Sequence, residues 1–375
     1  MTSLRLGAIV VASLASSGCN LLIGLGDHEP YGADAGSTST GGASSSTSGG
    51  GGGGTGGVGG PGGGGGGPPA CDLPPPMLIA SGQTKPGAIV SDATTVFWID
   101  ETDGSQPGRI MRANKDGTNV KEVLTGLSNP VGLRIFSQGA ALFFTNDFGG
   151  VPGGPVGVGV FRSTKDGAAP VPLSVDDGLG AGLLVLNSGF LYSEAWSASS
   201  AVKARKSDVA STGGDPACYP STFGSNGTRI TAMVANDAFY FATTASTSIL
   251  QSAFDCDSSP SVFAAGQPQV RGMAADASYV FWITPDSVLR LEKANPGGTP
   301  KVLATDFDDL GGITTVAGGL VVTSRGAGTV TKVNATSRTP LACGQADPYR
   351  VADNSGSVFW TNRGTGEVMR VDLPQ

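Results

Sequence analysis

The chain ends with the stretch Ser355–Gln375, SGSVFWTNRGTGEVMRVDLPQ, in which two apolar segments, VFWTN and EVMRV, flank a Gly-rich turn. The same pattern recurs through the second part of the sequence, where another short apolar run follows it each time. At the C-terminus this last run is missing. The sequence therefore predicts a repeating β fold whose final unit lacks one strand.

The repeating unit is marked by a triplet of consecutive apolar residues. A strand that exposes one face to water alternates apolar and polar residues, so consecutive apolar residues predict strands covered on both faces, as in stacked blades. The third residues of successive triplets lie 46, 48, 49, 41, 40 and 38 residues apart, a period typical of a propeller blade of four strands. The triplets are Val96-Phe97-Trp98, Leu142-Phe143-Phe144, Phe190-Leu191-Tyr192, Phe239-Tyr240-Phe241, Val280-Phe281-Trp282, Leu320-Val321-Val322 and Val358-Phe359-Trp360.

A small residue precedes most triplets and opens a short apolar segment. We interpret this segment as the innermost strand of each blade, where strands crowd the central axis and large side chains do not fit. The seventh unit departs from the pattern with Arg350. The small residues of the other units are Gly87, Gly132, Gly182, Ala232, Gly272 and Gly312.

The missing last strand is predicted to come from the start of the repeat region. Met77–Ala80 matches the fourth strands of other units, such as KVLA and EVLT. Pairing of Met77–Ser81 with Glu367–Val371 would close the ring and cover both sheet edges at the seam. We therefore expect an all-β, seven-bladed propeller over residues 71–375. Six or eight blades remain the alternatives, because the sixth triplet is weak and the region 142–200 is long.

The N-terminus has the layout of a secretory signal, with one cation at Arg5, an apolar run from Leu6 to Leu14 and then small residues. The segment ending at Cys19 resembles a bacterial lipobox, which implies cleavage after residue 18, lipidation of Cys19 and anchoring by several acyl chains. The residue Asn20 then favours the outer membrane. An ordinary cleaved signal with an unmodified Cys19 is the alternative.

Residues 19–70 are predicted to form a disordered tether between the lipid and the propeller. The part from Gly36 to Ala70 consists almost entirely of Gly, Ser, Thr and Ala, and it has too little apolar surface to fold.

Composition excludes several classes of function. The formal net charge is −7 and no basic run occurs, which argues against a nucleic-acid partner. The single histidine, His28, precedes the repeats, so histidine-based catalysis and histidine-ligated metals are not expected in the propeller. An enzyme with this composition would have to use carboxylate, Tyr or Lys chemistry, or a metal held by oxygen ligands. No spacing of Asp and Glu residues matches a calcium-binding loop. The sequence therefore indicates no cofactor, and calcium is the alternative that stays open.

A basic residue recurs on the third strand of most units. Such a ring of cations would suit an anion, but a recurring feature of a repeat more often serves blade-to-blade contact. We therefore expect ion pairs or hydrogen bonds between blades, to groups such as Asp100, Asn146 or Asn362. The basic residues are Arg112, Arg162, Arg290, Lys332 and Arg370.

Loops that join the second and third strands should share one face of the propeller with the loops between blades. We expect this face to be acidic, to carry one aromatic side chain and to bind a ligand. A solvated rim without a ligand is the alternative. The predicted ligand-face residues are Glu101, Asp103, Asp147, Trp196, Asp308, Arg325 and Arg363.

Four cysteines besides Cys19 fit an oxidising compartment and allow three disulfide pairings. Cys218 and Cys256 fall in adjacent outer regions of units three and four. Cys71 and Cys343 flank the predicted seam. We expect the pairs Cys218–Cys256 and Cys71–Cys343.

In the first unit, the strand with Phe97, Trp98 and Asp100 is followed by Ile110 and Arg112 on the next strand and then by an Asp-Gly turn. This order resembles the YWTD-type propeller repeat, in which an aromatic-Trp-Thr-Asp strand is followed by an Ile-x-Arg strand and an Asp-Gly turn. The last unit is similar but has Asn362 in place of the Asp. The resemblance implies an extracellular or periplasmic propeller, usually with six blades, in a group of receptors, scaffolds and a few enzymes. The matching residues are Phe97, Trp98, Asp100, Ile110, Arg112, Asp116, Gly117, Phe359, Trp360, Thr361, Val368 and Arg370.

From these features we expect a lipid-anchored cell-envelope protein whose propeller is a non-catalytic binding or scaffold module for protein or polysaccharide. Two alternatives remain open. One is a metal-assisted hydrolase or lyase, and the other is a component of outer-membrane assembly.

Overall fold

A computed structural model describes residues 23–24, 72–101, 106–136, 140–147, 157–175, 180–187, 189–197, 200–210, 222–226, 228–254 and 258–374. These residues form 29 β-strands. Within them we find no helix with the length and apolarity needed to cross a bilayer.

Seven antiparallel sheets each contain the four strands of one blade, which confirms the predicted seven-bladed propeller. Blade one contains β3 to β6, namely Pro86–Ser91, Thr95–Asp100, Gly108–Asn114 and Lys121–Leu127. Blade two contains β7 to β10, namely Pro130–Ile135, Ala141–Asn146, Gly159–Thr164 and Val171–Val175. Blade three contains β11 to β14, namely Gly180–Asn187, Phe190–Ser197, Ser200–Asp208 and Thr222–Asn226.

The remaining blades follow the same order. Blade four contains β15 to β18, namely Ile230–Ala235, Phe239–Thr243, Ile249–Ser252 and Ser261–Ala264. Blade five contains β19 to β22, namely Gly272–Ala275, Tyr279–Ile283, Val288–Glu292 and Lys301–Ala304. Blade six contains β23 to β26, namely Leu310–Val316, Gly319–Ser324, Thr329–Val333 and Arg338–Ala342. Blade seven contains β27 to β29 and β2, namely Pro348–Asn354, Ser357–Asn362, Glu367–Asp372 and Met77–Ala80.

The ring closes at the seam that the sequence predicted. In blade seven, Met77 pairs with Arg370, Leu78 with Met369 and Ala80 with Val368. The inner strand of each blade contacts the inner strand of the next, including β27 with β3 across the seam. The N-terminal strand therefore covers the edge of β29, which would otherwise expose unpaired backbone groups.

A fifth strand, β1, joins the sheet of blade six. It consists of Ile23–Gly24, and Ile23 pairs with Thr314 while Gly24 pairs with Ile313 on the inner strand β23. The sequence placed these two residues in the tether and predicted no pairing for them. The Gly-rich part of the tether lies outside the described residues.

The triplets pack on both faces, as expected for stacked blades. Trp98, Trp282 and Trp360 are fully buried, and so are most of the residues beside them in the triplets. The threonine that follows some triplets joins neighbouring blades, because its hydroxyl donates to a carbonyl of the next inner strand. These bonds are Thr145 Oγ1 to Gly182 O at 2.6 Å, Thr323 Oγ1 to Tyr349 O at 2.9 Å and Thr361 Oγ1 to Gly87 O at 3.2 Å.

A Gly-Gln pair before three of the inner strands attaches those blades to the preceding one. In blade one, Gln83 Oε1 accepts a hydrogen bond from Trp98 Nε1 at 3.0 Å, and Gln83 N donates to Gly366 O of blade seven at 3.0 Å. Gly82 has φ +73°, a conformation that favours glycine. The sequence analysis missed this motif. The same 15-residue spacing recurs in the pairs Gln267–Trp282 and Gln345–Trp360.

Third-strand arginines also join blades, as predicted, but their partners differ from those expected. Three of them, Arg112, Arg162 and Arg370, donate to a backbone carbonyl in the turn between the third and fourth strands of the next blade, because the stagger between blades brings that turn beside the arginine. Within the described part of the chain, none of these three arginines bonds to Asp100, Asn146 or Asn362. The bonds are Arg112 Nη1 to Lys165 O at 2.9 Å, Arg162 Nη1 to Val209 O at 2.8 Å and Arg370 Nη1 to Lys115 O at 2.8 Å.

Candidate functional site

The two ends of the propeller carry different connections. In an antiparallel blade, the loops after the second and fourth strands lie at one end, which we call the loop face. The turns after the first and third strands lie at the opposite end, which we call the turn face. Among the described residues, Glu101, Asp147, Asp308, Arg325 and Arg363 lie in connections of the loop face, and Trp196 lies near the end of the second strand of blade three, at the same face.

Two positions recur at the inner edge of the loop face. One position immediately precedes the inner strand, and the other immediately follows the second strand. The backbone N–H of the residue after the second strand donates to the carbonyl of the residue before the inner strand. Side chains at both positions therefore gather near the axis. The pairs, written donor first, are Glu101–Lys85 at 2.9 Å, Asp147–Asn129 at 2.8 Å, Thr244–Arg229 at 2.9 Å, Arg325–Asp309 at 2.8 Å and Arg363–Asp347 at 3.0 Å.

Ion pairs connect these side chains across blades five, six, seven and one. Arg325 lies between two carboxylates, with its Nε 2.7 Å from Asp347 Oδ1 and its Nη1 3.5 Å from Asp309 Oδ2. Arg271 of blade five also pairs with Asp309. Burial lowers the pKa of Arg325, but the hydrogen bond and charge of Asp347 outweigh burial and raise the pKa above its ordinary value. These groups are thus charged partners that hold neighbouring blades together.

Tyr349 of blade seven is the centre of an arginine cluster. The guanidinium carbons of Arg363, Arg350 and Arg325 lie 3.5, 4.0 and 5.3 Å from its ring centroid. Arg350 is buried and donates to Tyr349 Oη at 2.7 Å. Arg363 Nη2 donates to Glu101 Oε1 at 2.5 Å. The departure of Arg350 from the small-residue pattern therefore supplies a buried cation that packs against an aromatic ring.

A second cluster joins blades two, three and four. Arg229 Nε lies 2.8 Å from Glu194 Oε1, and its Nη2 lies 3.3 Å from Asp147 Oδ2. Trp196 Nε1 donates to Asp147 Oδ1 at 3.0 Å, and the guanidinium carbon of Arg229 lies 3.8 Å from the indole centroid. Trp196 is therefore held inside the cluster by its hydrogen bond to Asp147 and by the Arg229 guanidinium on its ring.

The structure brings the predicted ligand residues together only in part. Arg325, Arg363 and Glu101 belong to the arginine cluster around Tyr349, and Asp147 and Trp196 belong to the second cluster. Asp308 is exposed in the connection to blade six, and Asp103 lies outside the described residues. The acidic character expected for this face is largely compensated among the described residues, because Glu101, Asp147, Glu194, Asp309 and Asp347 each pair with an arginine.

The sequence analysis missed Arg229, Arg271 and Tyr349. Each lies just before an inner strand or within its first residues. Lys85, Asp309 and Arg229 occupy the same position of the repeat, because the backbone carbonyl of each accepts a hydrogen bond from the residue that follows the second strand. An alignment of the repeat units would therefore have identified Arg229. No periodic apolar signal marks such loop residues.

No group of three or more metal-ligating side chains occurs within the described residues. Cys343 is disulfide-bonded, and its partner lies outside the described part of the chain. The predicted partner Cys71 and the predicted pair Cys218–Cys256 also lie outside it. Both pairings therefore stay predictions, as does lipidation at Cys19.

No protein-family model matches the chain, and no curated protein matches it either. Solved propeller structures do match. Streptogramin B lyase is 15% identical with a TM-score of 0.53, over 80% of this chain and 97% of that one. Virginiamycin B lyase from Staphylococcus aureus is 16% identical with a TM-score of 0.54, over 80% and 98%. PorZ of Porphyromonas gingivalis, a surface component of the type-IX secretion system, is 14% identical with a TM-score of 0.54, over 80% of this chain and 38% of PorZ. At these identities the similarity establishes the propeller fold alone.

Proposed function

We propose that this protein is a lipid-anchored component of the cell envelope whose propeller is a non-catalytic binding module. The lipid on Cys19 and the Gly-rich tether attach the module to the outer membrane. The loop face binds its partner, a protein or a polysaccharide.

The commitment of the loop-face charges to ion pairs between blades supports this proposal most directly. A general acid or base needs a carboxyl group that can exchange a proton near neutral pH. The oxygens of Glu101, Asp147 and Glu194 instead accept hydrogen bonds from arginines, so these carboxylates are already used in contacts between blades. Such a face presents charged side chains that their partners hold in place, which suits recognition more than catalysis.

The lyases among the similar structures do not carry over an activity. A His-to-Ala variant of virginiamycin B lyase is described as catalytically inactive, so that enzyme depends on a histidine. The single histidine of this chain is His28, which precedes the propeller. The same chemistry is therefore not available to the propeller of this protein.

Anchoring is tested in cells with the variant Cys19→Ser. The native chain should incorporate labelled fatty acid and fractionate with the outer membrane, while the variant should lose the label and leave that fraction. Incorporation of label by Cys19→Ser would contradict lipidation at this residue.

Binding is tested with a photo-cross-linking amino acid placed at Asp308 on the loop face. The control position is Val302, which is 50% exposed on the outer strand of blade five. Discrete cross-linked products should form from position 308 and not from position 302, and digestion with protease or glycosidase identifies the partner class. Identical products from both positions, or none from position 308, would contradict binding at the loop face.

A further inference from the structure

The turn face carries a repeated lysine contact between blades, which we call the lysine clasp. A lysine three residues after the third-strand basic position reaches back to the turn between the first and second strands of the preceding blade. The clasps are Lys115 Nζ to Asn354 Oδ1 at 2.8 Å, Lys165 Nζ to Asp92 Oδ2 at 2.7 Å and Lys293 Nζ to Asn236 Oδ1 at 2.6 Å.

Asp92 shows how the acceptor of a clasp works. Its Oδ1 accepts hydrogen bonds from the backbone N–H groups of Thr94 and Thr95, and its Oδ2 accepts the bond from Lys165. Burial raises the pKa of Asp92, but these bonds outweigh burial and leave the pKa below its ordinary value. One oxygen therefore holds the turn, and the other binds a cation from the next blade.

Asp276 has the same local structure at the junction of blades five and six. Its Oδ1 accepts hydrogen bonds from the backbone N–H groups of Ser278 and Tyr279, both at 2.7 Å. The residue of blade six that corresponds to the clasp lysine is Ala335, three residues after Lys332. Among the described residues no cation forms an ion pair with Asp276, which is exposed. The acceptor of a clasp is thus present without its lysine.

A cleft of about 460 Å³ lies where the lysine would be. Phe281 lines the cleft and corresponds to Phe359. In the junction of blades seven and one, Lys115 Nζ lies 5.5 Å from the centroid of the Phe359 ring. Phe281 retains 6% exposure, whereas Phe359 is fully buried. Arg290 also lines the cleft, and its guanidinium stacks on Tyr279 at 4.2 Å instead of bonding to the turn of the next blade.

We propose that this cleft binds a lysine side chain of a partner protein. The ammonium group bonds to Asp276 Oδ2 and lies over the Phe281 ring, as the Lys115 ammonium nitrogen lies over the Phe359 ring. A guanidinium beside the site does not prevent this, because Arg370 lies next to Lys115 in the intact clasp and lies 5.8 Å from the same ring. Arg290 and Tyr279 contact the rest of the partner segment. This site lies on the turn face and is independent of the loop-face partner proposed above.

The neighbouring junction provides an internal control. A cleft of about 560 Å³ between blades four and five is lined by Asp237, Tyr279 and Lys293. There the chain supplies its own lysine, which pairs with Asp237 at 2.8 Å. The two clefts therefore differ in whether the cationic group is already present.

The test measures saturation-transfer NMR signals of a short peptide, acetyl-Gly-Lys-Gly-amide, with the full mature chain in detergent. The lysine side-chain protons should show saturable transfer, and peptides with acetyl-lysine or norleucine should not, because they lack the charge. The variant Asp276→Asn should weaken binding about tenfold, which corresponds to one lost charged hydrogen bond.

Two further variants separate binding from folding. Ala335→Lys places the clasp lysine in the chain itself, so it should abolish peptide binding while the protein keeps or increases its melting temperature. Lys293→Ala should add a second lysine site at the junction of blades four and five. Undiminished binding by Ala335→Lys, equal signals from the acetyl-lysine peptide, or no saturable signal from the native chain would each overturn the proposal. Loss of the loop-face cross-links would leave these results unaffected.

Discussion

Two junctions between blades, seven to one and five to six, use the same repeat in different ways. At the first, Thr361 bonds to the next inner strand, Arg370 bonds to the Lys115 carbonyl, and Lys115 bonds to Asn354. At the second, Ala335 replaces the lysine and a cleft remains. The contrast shows that a repeat is most informative at the position where one member departs from it.

The largest effect should come from opening the seam. Deletion of residues 72–81 removes β2 and exposes the edge of β29, so we expect a loss of about 5 kcal/mol or more, which approaches the whole net stability of a domain. Calorimetry and limited proteolysis measure this loss. The single change Ile79→Asp should reproduce most of it, because Ile79 is 3% exposed, whereas Leu78→Asp at 48% exposure should not. Equal effects of the two substitutions would contradict the pairing.

Removing an existing clasp should have the next largest effect. Lys165→Met leaves the carboxylate of Asp92 without its cation in a largely buried site, and we expect a loss of about 2 kcal/mol. Chemical denaturation of the variant measures this loss. Lys121→Met, on the exposed outer strand of blade one, should change the stability by less than about 0.5 kcal/mol. A clasp variant as stable as this control would show that the contact contributes little.

Asp353, next to the clasp acceptor Asn354, should make stability depend on pH. Burial raises its pKa from 3.8 to about 6, although Lys115 opposes this, and its Oδ1 is buried without a hydrogen-bond partner among the described residues. Between these pH values the folded state keeps a proton that the unfolded state has released, so stability falls as the pH rises from about 4 to about 6.

The variant Asp353→Asn should remove this fall and stabilise the protein by about 1 kcal/mol at pH 7, since water screens part of the effect at a partly exposed group. Denaturation curves from pH 4 to pH 8 measure it. A native chain whose stability is flat or rises over this range would contradict the raised pKa.

The smallest effect should come from adding a clasp. Ala335→Lys should stabilise the junction of blades five and six by about 0.5 kcal/mol, because Asp276 is more exposed than Asp92 and an exposed ion pair contributes little. The melting temperature measures the gain, with Ala335→Met as the uncharged control. A loss of stability with lysine but not with methionine would show that the two junctions are not equivalent.

The blades and the seam were predicted from the sequence because they depend on short-range patterns. Consecutive apolar residues, such as those of the first triplet, predict which strands are covered on both faces. The repeat region begins with one extra strand and ends one strand short, and this match predicts closure of the ring. The partners of Arg112 and Lys165 were not predicted. They depend on the stagger between blades, which brings a turn of one blade beside a strand of its neighbour.

The loop-face site was predicted less completely. Residues such as Glu101 and Arg363 were assigned to the correct face because the order of connections follows from the antiparallel blade. Their pairing was not predicted, nor were the contributions of Arg229 and Tyr349. Side chains in loops have no periodic signal, and their contacts join residues far apart in sequence, such as Arg363 and Glu101.

The sequence by itself predicted the repeat, the four-stranded blade and the closing strand, because hydrophobic patterning recurs with a period of about 45 residues. The structure decided for seven blades over the alternatives of six and eight. Only the tertiary structure decided which charges meet between blades. It also showed that Ala335 leaves Asp276 without the lysine that Asp92 has. The physical reason is that contacts between blades depend on the offset of packed sheets in space, which local sequence patterns do not encode.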